Sequence, residues 1–159
     1  MNLNLVAQQE LLLLEVPTED HNALCAVLLF VRGLSSFQAA ILLAERGMTQ
    51  DARTITRSCF ESVFCFGALL NDPSFLDKFE KGDVHGKKTF AKAVLEGSSR
   101  LEAGDAEKVS EFLNDLKQSG ENGARLNIEQ AAKSAGLEAV YDAIYRGLSN
   151  DAAHPSLKR

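Results

Sequence analysis

Proline, cysteine and excess basic charge are all scarce in this 159-residue chain, and each scarcity closes off a class of protein. Its three prolines, Pro17, Pro73 and Pro155, fall only where helices should start or stop. The three cysteines, Cys25, Cys59 and Cys65, are odd in number, form no CxxC pair and lie in apolar runs. That excludes a disulfide framework and a zinc knuckle, and leaves buried, reduced thiols. A net charge of −5 does not suit a general nucleic-acid coat, which needs clustered Lys and Arg. No segment keeps a period of two, and the one Asn-Gly pair, Asn122-Gly123, lies between helical patterns, so strands are not expected. The longest apolar run, Ala23 to Val31, spans nine residues, whereas a bilayer needs about 20. With no basic start at Met1, these features point to a cytoplasmic protein that neither spans nor binds a membrane.

What the chain does have is helical periodicity. A first helix is expected over about Leu3 to Glu15. Thr18 then offers an N-cap, and Leu24, Val27, Leu28, Val31, Leu34, Ile41 and Ala44 form the apolar stripe of a long helix ending at Gly47. Thr49 caps a second long helix that runs to Asn71, and Asp72-Pro73 opens another. Gly82 and Gly86 should loosen that helix before it resumes through Phe90. Asp105 starts the next, Asn127 and Gln130 form a capping box, and Gly136 closes the short helix between. Leu137, Val140, Tyr141, Ile144 and Leu148 are the stripe of the last helix, which Pro155 ends near Ala153. The expected fold is all-α: an antiparallel bundle of four to six helices with short loops, in one domain over residues 1–159.

Few motifs carry chemistry. Gly82 to Thr89 superficially suggests a phosphate loop, but its glycine spacing is wrong and no strand precedes it. His21 and His85 have no partner at metal spacing, so no metal or cofactor is implied. Arg53, Arg57 and Glu61 share a helix face, and Arg57 and Glu61 sit among Ile55, Cys59, Phe60, Val63 and Phe64. A charged pair in such company needs partners. At the C-terminus, Asn150 and His154 fall on one helical face, and a histidine can act as a general acid or base. Arg146 is eight residues before His154, about 12 Å along the axis and about 80° around it, too far for both to grip one phosphate.

The pattern Ala52-Arg-Thr-Ile-Thr-Arg57-Ser-Cys-Phe-Glu61, followed by Leu148-Ser-Asn-Asp-Ala-Ala-His154-Pro155-Ser156, resembles the HEPN superfamily of α-helical domains. It is closest to a bacterial group with a Leu-Ser-x-x-x-x-His-Pro-Ser ending. The resemblance implies a homodimer. In active members it implies metal-independent RNA cleavage by an arginine and a later histidine on the last helix, often within toxin–antitoxin or antiphage systems. His154 matches the family histidine and Asn150 the polar residue that follows the arginine, but Ser149 stands where the arginine would be. A serine cannot supply a fixed cationic fork. Arg57 or Arg53 from the neighbouring helix would have to replace it. Members of the group usually continue with another helix beyond the histidine, so the chain is either a short member or a truncated one.

Two readings follow. In the first, the chain is a non-catalytic module that dimerises or binds a protein partner, with Arg57, Glu61, Ser149, Asn150 and His154 as a polar network fixing the helices. In the alternative it is a ribonuclease acting on RNA, with His154 as acid or base and Arg57 or Arg146 as the phosphate clamp. Residue types favour the first.

Overall fold

The structure, a computed structural model, describes residues 3–16, 19–97, 103–118 and 122–153. They are all-α, with no strand among them: α1 Leu3–Leu13, α2 His21–Glu45, α3 Thr49–Asn71, α4 Phe75–Glu96, α5 Ala103–Gln118, α6 Ile128–Ser134 and α7 Glu138–Val140. A π-helical turn, Tyr141–Tyr145, then leads into α8 Arg146–Ala153. From α7 to α8 the backbone runs on as one last helix. Backbone contacts divide the chain into two compact units, Met1–Pro73 with Ile128–Arg159, and Ser74–Asn127.

In the first unit, local chemistry sets the helix ends. The expected cap Thr18 lies outside the described residues, and Asp20 caps α2, its Oδ1 accepting from Ala23 N at 3.0 Å. Gly47 (φ +74°) and Gly136 (φ +71°) close α2 and α6 in left-handed turns. In each the amide after the glycine reaches back into the helix, Met48 to Leu43 O and Leu137 to Ala132 O. Thr49 does not cap α3. It is the first helical residue, and its hydroxyl donates to Gly47 O instead.

The turn at Gly47 lays α3 back along α2, antiparallel. Asn22 Nδ2 donates to Leu69 O at one end of the pair, and Cys59 Sγ to Gly33 O in the middle. The buried side of α2 is Ala26, Leu29 and Gly33, not the stripe expected from the sequence: Leu24, Leu28, Val31 and Ile41 are exposed. Apolar residues surround α2 on every side, so periodicity alone cannot choose its inner face. By length and composition this helix could cross a membrane: its most apolar window has mean hydropathy 1.8 and is 22% buried.

α3 carries the core: Phe64 and Ala68 are fully buried, and Cys65 and Leu69 nearly so. α6 rests on it through small residues, Ala131 and Ala132, and a Cβ on Gly67 would come within 2.8 Å of Ala135 Cβ. Ser134 Oγ donates to Asp72 Oδ2, tying the end of α6 to the end of α3.

The second unit pairs α4 with α5 around Phe75, Val84, Ala91 and Leu113. α4 runs unbroken through Gly82 and Gly86, against expectation. The glycine at 82 serves a close approach, since a Cβ there would lie 2.9 Å from Leu126 Cβ. The segment 122–127 crosses α4 at that point, with Ala124 N donating to Lys81 O.

Candidate functional site

The polar cluster flagged by the sequence forms on α3, and its unforeseen partner is Tyr145. One helical turn separates Arg57 from Glu61, and Arg57 Nε lies 3.1 Å from Glu61 Oε1. The Tyr145 hydroxyl donates to the same Oε1 at 2.7 Å and accepts from Arg57 Nε at 3.4 Å. The three groups thus close a triangle between α3 and the last helix. Tyr145 is 5% exposed, whereas about a third of the Arg57 and Glu61 side chains remains open to solvent.

Around the triangle the aromatics form a continuous stack. The Arg57 guanidinium lies 5.7 Å from the Tyr145 ring centre, and Tyr145 stacks on Tyr141 at 5.1 Å. The Arg146 guanidinium covers Tyr141 at 5.5 Å. Both rings reach the buried Phe64, Tyr145 edge-on at 5.7 Å and Tyr141 at 6.1 Å. These are the only two tyrosines in the chain.

The π-turn explains why Tyr145 escaped the sequence reading. Its wider hydrogen bond, Arg146 N to Tyr141 O, adds a residue to that turn and moves the inward face on by one position. The regular stripe would bury Ile144, which is 47% exposed, while Tyr145 points in. The signal available was the pair of tyrosines four residues apart, since a tyrosine turned inward seeks a partner for its hydroxyl.

Electrostatics follow the geometry. Burial, then the bond to Glu61, pushes the Tyr145 phenol above its ordinary range. The bond to Tyr145, with help from Glu61, pushes Arg57 further up despite partial burial. Tyr145 is therefore a neutral donor, not a base. Ser149 Oγ is shielded from solvent and makes no hydrogen bond among the described residues. It lies towards Tyr145, where its hydroxyl would act to draw the phenol down against that shift.

Arg146 belongs to a separate, exposed lattice of ion pairs. Its Nε lies 3.2 Å from Asp142 and an Nη 3.9 Å from Glu129, which also pairs with Lys133 at 2.9 Å. That pairing draws the Glu129 carboxyl below its usual range and raises Lys133. The structure thus brings Arg57, Glu61 and Ser149 towards Tyr145 and puts Arg146 at the other end of the stack. His154 lies outside the described residues, and of Asn150 only the backbone, within α8, is described. Among the described residues no group of three His, Cys, Asp or Glu side chains could hold a metal.

Chemically the cluster is paired internally at three atoms, Arg57 Nε, the Tyr145 hydroxyl and Glu61 Oε1. Arg57 and Arg146 each face at least one carboxylate, which would oppose the attraction of the guanidinium for an incoming phosphate. The hydroxyl hydrogen of Tyr145 is already committed to Glu61.

Fold and site together define an all-α protein in which a π-distorted last helix is clamped to the central helix α3 by an Arg–Tyr–Glu triangle. Residues 23–159 match the model of DUF5677, described as a family of unknown function, and the chain belongs to that family. No curated protein and no solved structure matches it.

Proposed function

We propose that this chain is a HEPN-like helical module without catalytic activity of its own, which assembles with a second copy of itself. The observation that carries this reading is the internal pairing of the polar cluster. Arg57 Nε, Glu61 Oε1 and the Tyr145 hydroxyl bond one another within one unit, the arrangement of a structural clamp. A phosphate clamp would instead present its guanidinium unopposed to the ligand.

The surface for assembly is α2. Leu24, Leu28, Val31 and Leu42 fall within roughly 60° of one another around the helix, on the side away from Ala26, Leu29 and Gly33. All four are exposed, and Leu28 is 60% so. Ser35 interrupts the stripe between Val31 and Leu42, and the apolar surface on either side of it supports a protein interface, which if self-complementary suits a two-fold dimer.

Light scattering on the purified chain, together with incubation of the wild type, Arg57→Ala and His154→Ala with mixed RNA, tests the proposal. The expected result is a dimer and the same background cleavage in all three. A monomer at all concentrations, recovery with the membrane fraction after lysis, or cleavage lost on mutating His154 would overturn it.

A further inference from the structure

We propose that the concavity between α1, α2 and α3 is a binding site for a small, uncharged aromatic molecule. It has a volume of about 260 Å³ and is walled by Leu29, Phe30, Phe37, Val63 and Phe66, with Gly33 as part of the wall. It lies on the flank of α2 away from the outward stripe, so it is distinct from the assembly surface.

Three features define the ligand. The first is charge: among the described residues that line the concavity there is no Lys, Arg, His, Asp or Glu. The one ionisable group among the described wall residues is the Cys59 thiol, which donates to Gly33 O at 3.3 Å and is pushed up by burial, so it stays neutral. An ionic ligand would lose its hydration there and gain no counter-charge. The polar element is Asn4, whose Oδ1 accepts from Gln38 Nε2 at 2.8 Å. A mostly apolar wall with a single amide orients a ligand that carries at most one N–H or O–H.

The second feature is shape. Three of the wall residues are phenylalanines, and Phe30 and Phe66 meet at 5.7 Å with their planes tilted by 42°. Rings disposed in this way offer edges and faces to another ring. An apolar cavity of about 150 Å³ admits benzene. The larger volume here suits a fused bicycle.

The third is Gly33. Glycine inside a helix is destabilising relative to alanine. Close helix packing does not require it here, because a Cβ at 33 would stand 3.6 Å from Ser62 Cβ and 3.9 Å from Val63 Cγ2, ordinary contact distances. What the glycine preserves is the space that a larger side chain would fill.

Indole, an uncharged bicycle with one N–H, tests the site on the full chain. The protein has no tryptophan, so indole fluorescence reports binding without background. Saturable one-to-one binding in the micromolar range is expected, with indole-carboxylate binding at least about tenfold more weakly. Gly33→Leu should weaken indole binding about tenfold or more. Val63→Phe, at a half-open wall position, should do the same if the first variant fails to keep its helical circular dichroism. Leu28→Ala, on the outward stripe, should leave the affinity unchanged. Unsaturable binding, equal affinity for the carboxylate, or full affinity in a folded Gly33→Leu or Val63→Phe protein overturns the proposal. So does loss of binding in step with dimer formation, which would mean that the second copy covers the concavity.

Discussion

α2 and α3 lie against each other and solve opposite problems. α3 carries an arginine and a glutamate on a face otherwise apolar, and finds their partner, Tyr145, within its own unit. α2 carries Leu24, Leu28 and Val31 on the side where charge would cost nothing, and Leu28 is 60% exposed. Charge turned inward and satisfied specifies how one chain packs. Apolar surface turned outward and uncovered specifies what the chain packs against next. On the function proposed above, the polar cluster is part of the architecture and the apolar helix is the part that invites a partner.

The comparison is broken most severely at the point where α3 and the last helix share a ring. Phe64 is fully buried and touches Phe60, Tyr141 and Tyr145. Phe64→Ala should cost about 3–5 kcal/mol in urea unfolding, the range for a large aromatic removed from a core. A cost below about 1 kcal/mol would show that the last helix does not depend on this contact. The next effect is one of pH. Cys65 is buried and its thiol is held up to about 12 from an ordinary 9.0, burial being the first cause and Glu61 the second. A thiol that ionises more readily in the unfolded chain favours unfolding as pH rises above its unfolded value. Stability is thus fully present below pH 9 and should fall by on the order of 1 kcal/mol by pH 10. Tyr145, also raised, adds to the fall in the same direction at higher pH. Cys65→Ala should flatten the early part of that slope in chemical denaturation, and an unchanged slope would assign it to other groups.

Tyr145→Phe isolates the triangle. It keeps the ring on Phe64 and Tyr141 and removes only the hydroxyl shared by Arg57 and Glu61. Because both partners keep some access to water, the loss should be roughly 1 kcal/mol, below the full value of a charge-assisted bond. The Arg57–Glu61 pair, four residues apart on α3, should survive it. If the variant instead unfolds, Tyr145 is more than the tie between two helices.

Much of this architecture is legible in the chain, and the misses have physical causes. Gly47 and Gly136 announced their helix ends because only a left-handed residue closes those turns. Arg57 and Glu61 stood out because charge amid Ile55, Phe60 and Phe64 is anomalous on a helix face. Tyr145 stayed hidden because a single π-turn shifts the inward register by one, which no stripe drawn at 100° per residue can anticipate. Gly82 was read as a weak point in α4, although its reason is a neighbour, Leu126, distant in sequence. The inner face of α2 was misread for the opposite reason: apolar residues on every side satisfy any choice of stripe.

That ambiguity makes α2 the place for the mildest and most discriminating variant. Leu28 is 60% exposed, so Leu28→Glu removes little burial and should change unfolding free energy by no more than about 0.5 kcal/mol. The same substitution in each copy of a two-fold dimer would bring like charges together across the apolar stripe, offset only in part by the exposed Arg32 four residues further along the same helix. Sedimentation should then show a monomer with unchanged helical content. Tyr145→Phe should do the reverse, losing stability while still self-associating. If Leu28→Glu assembles as the wild type does, the outward stripe is not the interface. If it unfolds, the stripe is core, and the contrast between the two helices falls with it.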